Sequence, residues 1–379
     1  MQYKVIVSGG SGMAKSEAKR ASMIDVARAA GVSHQTVSRV INNSPDVSAE
    51  TRVRVLRIIE KLGYHPSNYA RALATQQSRT LGLIVGAASR WSQSIIAPIE
   101  AQAKACGMFL SLSMVNETLC EQSDIRALTE SFEEQNVDGI VIDAPTDAIF
   151  TALCRTNMVK PCVCVTSTHG SLSAHEGMNI LKRHSNIEYS VIGINQWRAM
   201  SDIVSLIAQY GHRNALYVAG PAQWRGSATR LVAWRSLSAT QGIHSHIVQC
   251  TSWKSSESYA RMNHMLEKFG VDGAAIPSVV VTSSDEQAVG VMRSLYEHGL
   301  KIPNDVSVVG FGNVPSMGDL FPPLTTVSPD VQQLGSLAVR EVLRLINHGP
   351  EPAFPDMARG VGQIPANVNL RSSLAAVLR

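Results

Sequence analysis

The first residues whose spacing could support catalysis or phosphate binding lie in the stretch KVIVSGGSGMAKS, at positions 4–16. Phosphate-binding loops with the pattern G-x-x-x-x-G-K-[ST] surround the phosphates with backbone N–H groups and need their glycines for the tight curvature. Gly9, Lys15 and Ser16 fit this pattern, but Ala14 occupies the position of the second glycine. Whether the stretch binds a nucleotide therefore depends on the elements that would have to position it.

Those elements do not support a nucleotide site. Residues 17–66 have the pattern of short helices instead of a βαβ unit, and no later strand supplies a carboxylate placed to hold Mg²⁺ beside the loop. We interpret residues 1–21 as a flexible, weakly basic leader, with Met13 as an alternative start. The chain has no nucleophile–base pair, no paired carboxylates and no metal-ligand spacing among its 11 histidines and 6 cysteines, so we expect no enzyme activity, metal or cofactor.

The composition is that of a globular protein with two or three domains, since 45% of the 379 residues are hydrophobic and 17% are charged. No apolar run approaches the roughly 20 residues of a membrane span, and the N-terminus lacks the pattern of a secretory signal. We expect a cytoplasmic protein whose scattered cysteines are reduced, with Cys162 and Cys164 on one face of a buried strand.

Charge is distributed unevenly along the chain. Residues 1–79 contain 12 Lys or Arg and 5 Asp or Glu, a net charge of +7, whereas residues 80–379 carry −3. A basic segment on a mildly acidic body indicates contact with a polyanion, although a solvated basic tail would have the same charge.

The basic segment has the pattern of a helix-turn-helix. Residues 22–25 (SMID) form a capping box, which predicts a helix MIDVARAA that ends at Gly31. Ser33 can cap a second helix, HQTVSRVIN, with one apolar stripe and an opposite polar face, and a third helix fits residues 48–62. This arrangement places the second helix in the DNA major groove, and a merely solvated polar face is the alternative interpretation.

The segment resembles the DNA-binding headpiece of the lactose-repressor (LacI/GalR) family almost continuously over residues 24–73. The resemblance implies that three residues of the second helix read bases, and the chemistry agrees, because arginine pairs with guanine and glutamine with adenine. These predicted base contacts are His34, Gln35 and Arg39. Six further polar residues are implied to hold the helix on phosphates: Ser33, Thr36, Ser38, Asn42, Ser48 and Thr51.

Residues 66–75, PSNYARALAT, resemble the hinge helix of the same family, which enters the minor groove. The resemblance implies that Ala70 and Leu73 contact DNA there, with Leu73 as an apolar wedge that kinks the duplex. A plain linker helix is the alternative. The headpiece then comprises residues 22–66, and the hinge residues 67–79.

From residue 80 onward, short apolar runs alternate with helical segments, which predicts an α/β fold with doubly wound parallel sheets. We assign TLGLIVGA, MFLSLSMV, GIVIDA and PCVCVTS to the first half, and EYSVIGIN, ALYVAG, HIVQC, SVVVTSS and VSVVGF to the second. This body resembles the family's effector-binding core, which is itself like a periplasmic sugar-binding protein. The resemblance implies an N-subdomain of residues 80–193 and 328–363 and a C-subdomain of residues 194–327 and 364–379.

Ligands bind at the carboxyl ends of strands in open α/β sheets, so the cleft between the two halves is the predicted effector site. The resemblance places Arg230 where the family grips sugar hydroxyls and Trp253 where a sugar ring packs, and Asp143 ends a strand at the cleft. A forked donor, an aromatic plane and a carboxylate suit a polyol. Arg230 on a helix surface and Trp253 in the core are the alternatives.

Several positions depart from the pattern of sugar-binding relatives. Ser284 replaces an asparagine, Gly312 an aspartate and Thr166 a carboxylate. We keep Thr166 and Ser284 as predicted effector contacts, together with Asn195 and Asn313 as compensating polar groups. Either the effector is less hydroxylated or differently shaped than the usual sugars, or these groups replace the lost acceptors.

These inferences predict a transcriptional repressor of carbohydrate-related genes. It would bind a palindromic double-stranded DNA operator as a homodimer and be gated by a small-molecule effector, a sugar or sugar derivative, without a membrane partner. A repressor that depends on a purine-like corepressor, and a sugar-binding module without DNA function, are the alternatives. A tetramer is not expected, because only SSLAAVLR follows the last core strand, too little for a coiled coil.

Overall fold

The computed structural model describes residues 21–41, 44–64, 77–272, 276–349, 357–358 and 361–377. The chain divides into two compact units, residues 1–78 and 79–379. The glycine-rich stretch of the leader and three of the predicted DNA contacts lie outside the described residues. These contacts are Asn42, Ala70 and Leu73.

The described residues of the first unit form three helices. They are α1 (Met23–Ala30), α2 (His34–Ile41) and α3 (Ala49–Leu62). Ser22 and Asp25 form the predicted capping box at the start of α1, and Gly31 ends it with a φ of 65°, which glycine adopts without steric cost. Gly63 ends α3 in the same way, so the predicted helix-turn-helix and the predicted ends of α1 and α3 are confirmed.

One apolar face of each helix contributes to the small core of this unit. Val26 of α1, Val37 and Val40 of α2, and Val55 of α3 are all buried in it. Because two valines one turn apart are fixed in the core, the rotation of α2 about its own axis is also fixed, and its polar residues lie on the outer side.

Two α/β subdomains build the second unit. Their strands are β1 (Thr80–Gly86), β2 (Phe109–Val115), β3 (Gly139–Asp143), β4 (Cys162–Val165), β5 (Tyr189–Ile194), β6 (Asn214–Ala219), β7 (His244–Gln249), β8 (Val279–Thr282), β9 (Ser307–Phe311), β10 (Thr325–Pro329), β11 (Met357–Ala358), β12 (Val361–Ile364) and β13 (Ala366–Asn369). The helices are α4 (Arg90–Ala105), α5 (Gln122–Glu134), α6 (Asp147–Arg155), α7 (Ala174–His184), α8 (Gln196–Gln209), α9 (Arg225–Thr240), α10 (Ser255–Asp272), α11 (Asp285–Glu297) and α12 (Val331–Ile346), with a 3-10 helix at Pro315–Gly318.

Each subdomain is organised around one sheet. Among the described residues, the sheet of the first subdomain has the order β11-β12-β5-β4-β3-β1-β2, and that of the second β13-β10-β9-β8-β6-β7. All neighbouring strands are parallel except two pairs, β11 with β12 and β10 with β13. The predicted α/β fold with doubly wound sheets is confirmed, with an antiparallel strand at one edge of each sheet.

The assignment of EYSVIGIN to the second half is wrong. This segment is β5, which pairs in parallel with β4 and β12 in the first sheet, with Cys162 opposite Tyr189. Its apolar residues Val191 and Ile192 are buried in the core of the first subdomain. The strand therefore stays with the first sheet, and the chain leaves that sheet only after Ile194.

The chain passes between the two sheets three times. The chain leaves the first sheet after Ile194 of β5 and returns to it after Pro329 of β10. It crosses again between Ile364 of β12 and Ala366 of β13. Because β12 pairs with β5 and β13 pairs with β10, the three connections lie side by side. A narrow set of adjacent connections of this kind allows the two subdomains to change their relative angle.

The cysteines are free thiols and are mostly buried. Cys106 is exposed, and the other five are buried, including Cys162 and Cys164 on β4. Within the part of the chain that the structure describes, no helix combines the length and apolar character needed to cross a bilayer.

Candidate functional site

Helix α2 presents an exposed polar face. His34, Gln35 and Arg39 are exposed, while Val37 and Val40 of the same helix are buried. The three predicted base contacts therefore lie on the side of α2 that can approach another molecule.

The predicted phosphate contacts lie mainly at helix starts. Ser33 Oγ accepts a hydrogen bond from the Thr36 N–H at the start of α2 (3.1 Å), and Ser48 Oγ accepts one from the Thr51 N–H at the start of α3 (3.3 Å). These hydroxyls cap the helices, and the positive helix N-termini beside them favour anions. Ser38, in contrast, is half-buried in the middle of α2.

The two subdomains enclose a cleft with a cavity of about 540 Å³, the size of a small-molecule site. Six of the predicted effector contacts line it: Asp143, Thr166, Arg230, Trp253, Ser284 and Asn313. Asn195 does not line the cavity, because its side-chain oxygen caps α8 by accepting from the Arg198 N–H (2.9 Å). The next residue, Gln196, lines the cavity instead.

Asp143 ends β3 on the first-subdomain wall and is fully buried. The Trp91 indole N–H donates to one of its oxygens (3.2 Å) and the Ser92 hydroxyl to the other (2.6 Å). Burial raises the pKa of Asp143 to about 7, although these two hydrogen bonds lower it, and the nearby Glu117 carboxylate raises it. Near neutral pH the cavity therefore contains a carboxyl group that titrates.

Arg230 on α9 forms part of the opposite wall and is only 7% exposed. Its Nε–H donates to Ser283 Oγ (3.1 Å), its Nη1 donates to Gln196 Oε1 (2.7 Å), and the guanidinium lies 4.2 Å from the Phe311 ring centroid. Burial lowers the pKa of Arg230 to about 10, so the side chain is still protonated at neutral pH. Arg230 therefore does not lie on an outer helix surface, which was the alternative interpretation.

Aromatic side chains supply flat surfaces on both walls. Trp91 lies on the first-subdomain wall, and Trp224 and Trp253 pack edge to face on the other, with ring centroids 5.7 Å apart. Trp253 lies directly against Gly220, where a Cβ atom would come within 2.2 Å of the indole. Three of the five tryptophans of the chain thus line one cavity, which favours a ligand with a ring.

A second buried arginine, Arg225, connects the two subdomains. It begins α9, is fully buried, and packs on the Phe150 ring with its guanidinium carbon 3.8 Å from the centroid. It donates to four oxygens of the first subdomain: Thr166 Oγ1 (2.9 Å), Asp147 Oδ1 (3.0 Å), Leu172 O (2.7 Å) and Ser167 O (3.0 Å). The Thr166 hydroxyl therefore already has a structural partner across the cleft.

An ion pair joins the two subdomains at another place in the cleft. Arg90 at the start of α4 and Glu286 on α11 are 2.8 Å apart, with side chains 65% and 34% exposed. Both residues line the cavity. This pair lies toward solvent, whereas Arg225 connects the subdomains through their interior.

The other predicted polar contacts are also engaged within the protein. Ser284 caps α11 by accepting from the Gln287 N–H (3.2 Å), and the Asn313 amide binds Ser328 (3.3 Å) and Arg371 (2.8 Å). Both side chains line the cavity but already have partners there.

Asp285 directs its carboxylate to the second subdomain. Its oxygens accept from the Thr326 hydroxyl (2.5 Å) and the Val314 N–H (2.8 Å), and burial raises its pKa. Asp285 does not line the cavity, although it follows Ser284 directly.

Sequence reasoning missed several residues of the cleft. The cavity-lining residues Trp91, Gln196, Trp224 and Phe311 were not predicted, and neither was Arg225, which connects the subdomains beside the cavity. The scarcity of tryptophan was the available signal for Trp91 and Trp224. No group of three or more His, Cys, Asp or Glu side chains suited to a metal ion occurs among the residues with described positions.

Two family models match separate parts of the chain. Residues 22–67 match the model of bacterial regulatory proteins of the lacI family, and residues 204–371 match that of a periplasmic binding protein-like domain. The first match contains the helix-turn-helix, and the second contains most of the second subdomain.

Whole-chain comparisons give the same class. The lactose operon repressor of Escherichia coli (strain K12) is 28% identical over 334 residues, covering 86% of this chain and 85% of that protein. The ribose operon repressor of the same strain is 27% identical over 341 residues, covering 86% and 93%. A crystal structure of the lac repressor dimer bound to operator and the anti-inducer ONPF matches with a TM-score of 0.76 and 25% identity, over 94% of this chain and 100% of that one.

The fold and both sites thus define a DNA-binding transcriptional regulator with a periplasmic-binding-protein-like core. The chain belongs to the lacI family of bacterial regulatory proteins. These relatives are operon repressors, which confirms the prediction of a transcriptional regulator over that of an enzyme.

Proposed function

We propose that this protein represses carbohydrate-related genes and that a small molecule in the cleft, a sugar or sugar derivative, controls its affinity for a palindromic operator. The observation that carries the proposal is the orientation of α2. Its buried valines turn His34, Gln35 and Arg39 outward together, which is the arrangement that base reading in a major groove requires.

The cleft supports control by a small molecule. Asp143 and Arg230 lie on opposite walls, so one ligand that contacts both connects the two subdomains. The relatives include repressors of the lactose and ribose operons, which favours a carbohydrate-related ligand.

The proposed mechanism is a population shift between relative angles of the two subdomains. The three adjacent connections allow the angle to change, and a ligand that prefers one angle stabilises it. The ligand then alters operator affinity only to the extent that it binds the two arrangements with different affinity. The hinge, with Leu73 as a minor-groove wedge, is the predicted route to DNA.

A homodimer fits this mechanism, because a two-fold operator presents two equal half-sites. Two aromatic side chains of the second subdomain are largely exposed, Tyr296 at 81% and Phe321 at 98%. Exposed aromatic residues on one surface are typical of an interface, and we assign this surface to dimerisation. We place the protein in the cytoplasm, where the operator DNA is.

The proposal is tested by selecting DNA from a random pool with the full-length protein at fixed salt, with and without sugars, sugar acids, sugar phosphates and purines. We expect a palindromic motif that one compound class weakens. A motif that a compound strengthens would indicate corepression, and the absence of any motif would contradict the DNA-binding function.

The Arg39→Ala variant tests whether Arg39 reads a base or contacts a phosphate. If Arg39 pairs with guanine, the variant should lose about 1–3 kcal/mol of discrimination at one position of each half-site. Arg57→Ala on α3 removes the same charge from an exposed position and should leave the motif unchanged. Equal weakening on every sequence by Arg39→Ala would instead make Arg39 a phosphate contact.

A further inference from the structure

Helix α9 carries two buried arginines with different partners. Arg225 is fully buried and has a counterion, because its Nη1 lies 3.0 Å from Asp147 Oδ1. Arg230 is 7% exposed, and no ion pair among the described residues includes it. The fold therefore neutralises the arginine that connects the subdomains but not the one that faces the cavity.

The partners of Arg230 are all neutral. Ser283 and Gln196 accept its two hydrogen bonds, and Phe311 provides a cation–π contact. The nearby Tyr217 hydroxyl is neutral as well, because burial raises its pKa. A buried guanidinium without a counterion is unfavourable, and burial accordingly lowers the pKa of Arg230 to about 10.

No other charged group of the cavity neutralises Arg230. Asp143 is held on the opposite wall by Trp91 and Ser92, and Glu286 forms its ion pair with Arg90. The cavity therefore contains a cation without a carboxylate partner.

The hydrogen-bonding capacity of Arg230 indicates which anion fits. A guanidinium has five N–H donors, and the bonds to Ser283 and Gln196 use only two of them, so donors remain for a ligand. These donors and one positive charge match a carboxylate. A phosphate dianion would need a second free cation, and Arg90 is already paired with Glu286.

We infer that the cleft binds a ring compound with one carboxylate, such as a sugar acid, and that Arg230 is the counterion of this carboxylate. The ring packs against Trp253 and Trp224, which explains why aromatic surfaces accompany the unpaired cation. The inference rests on the proposed effector cleft and specifies the charge of its ligand.

The test uses matched pairs of an acid and its neutral counterpart with the full-length protein. The pairs are D-galacturonate with D-galactose, D-glucuronate with D-glucose, and cyclohexanecarboxylate with cyclohexylmethanol. Thermal unfolding at constant ionic strength measures binding, because a ligand of the folded state raises the Tm by mass action. We expect at least one acid to bind about tenfold or more tightly than its neutral counterpart.

Three variants separate charge from packing. Arg230→Gln removes the charge and should abolish the preference for the acid, whereas Arg230→Lys keeps the charge and should retain part of it. Arg235→Gln, at an exposed position of the same helix, should bind like the unchanged protein.

Three results would overturn the inference: a panel in which no acid binds more tightly than its neutral counterpart, an Arg230→Gln variant that keeps the preference, or a panel in which no acid raises the Tm. Operator binding is measured in parallel with each compound. If a neutral compound alters operator binding, the inferred negative charge of the ligand is wrong but the proposed function stands. If the protein shows no specific DNA binding with or without any compound, the proposed function itself is wrong.

Discussion

At the scale of single residues, burial decides the chemistry of the cleft. Asp143 and Arg230 have opposite charges and lie on opposite walls, and burial shifts both pKa values toward the neutral form of the side chain. Arg230 stays charged because its ordinary pKa is far above neutrality, while Asp143 reaches the physiological range. The two residues therefore differ in how their charge responds to pH.

Replacing Asp143 with Asn should remove one source of pH-dependent stability. The pKa of Asp143 is about 7 in the folded protein and about 4 in the unfolded chain, so the folded state binds more protons between these values. The unchanged protein should therefore lose stability as the pH rises through this window. Relative to it, Asp143→Asn should gain about 4 kcal/mol in free energy of unfolding between about pH 4 and about pH 8.

Urea unfolding at several pH values checks this prediction. The informative quantity is how the stability difference between the two proteins changes with pH. Asn has a single acceptor oxygen and cannot replace both bonds, from the Trp91 N–H and the Ser92 hydroxyl, so the substitution also alters stability at every pH. Glu267→Gln, which changes an exposed carboxylate on α10, is the control. A difference between Asp143→Asn and the unchanged protein that stays constant with pH would contradict the argument.

At the scale of elements, the start of α9 determines how the subdomains are held together. Arg225 extends from this helix into the first subdomain, where one guanidinium satisfies four oxygens. The backbone supports the same contact, since the Arg225 N–H donates to Pro145 O (2.8 Å) and the Asp147 N–H to Gln223 O (2.9 Å). The structure therefore has a polar connection between subdomains beside the cavity.

Arg225→Leu should destabilise the second unit by about 3 kcal/mol, because it leaves the Asp147 carboxylate and three neutral oxygens without their donor. Urea unfolding measures the loss, and Arg235→Leu on the exposed side of α9 is the matched control.

Combining Arg225→Leu with Asp147→Asn should recover part of that loss, since the uncompensated carboxylate is then removed. A loss below about 1 kcal/mol for Arg225→Leu would mean that water replaces the arginine and that the connection is weak.

At the scale of the whole molecule, the headpiece and the core have different tasks. The first unit has a small core of four valines and a few neighbours, which is sufficient to orient one recognition helix. The second unit has two large sheets, joined by three adjacent connections. The proposed function uses both, with the first unit reading the operator and the second sensing the ligand.

Phe321→Glu should weaken the proposed dimer. Phe321 is 98% exposed beside Tyr296 on the second subdomain, and a charge placed in an apolar interface would be desolvated without a partner. Sedimentation velocity should show a dimer dissociation constant raised about tenfold or more. Val232→Glu, at another exposed apolar position of the same subdomain, should leave the dimer intact, and equal effects of both variants would contradict the assignment.

The sequence by itself determined the headpiece and the α/β class. The capping box at residues 22–25, the glycines after α1 and α3, and the spacing of valines in α2 are local signals, because helix ends and helix faces depend on residues within four positions of each other. The predicted orientation of His34, Gln35 and Arg39 follows from these signals alone, which is why it agrees with the structure.

Only the tertiary structure decided the arrangement of the cleft. The sheet to which β5 belongs depends on which strand it pairs with, and a strand pattern does not contain that information. The Thr166 hydroxyl is bound by Arg225 from 59 positions away, and the neutral surroundings of Arg230 come from three separate segments of the chain. Such contacts arise where distant segments meet, so the residue types were visible in the sequence but their partners were not.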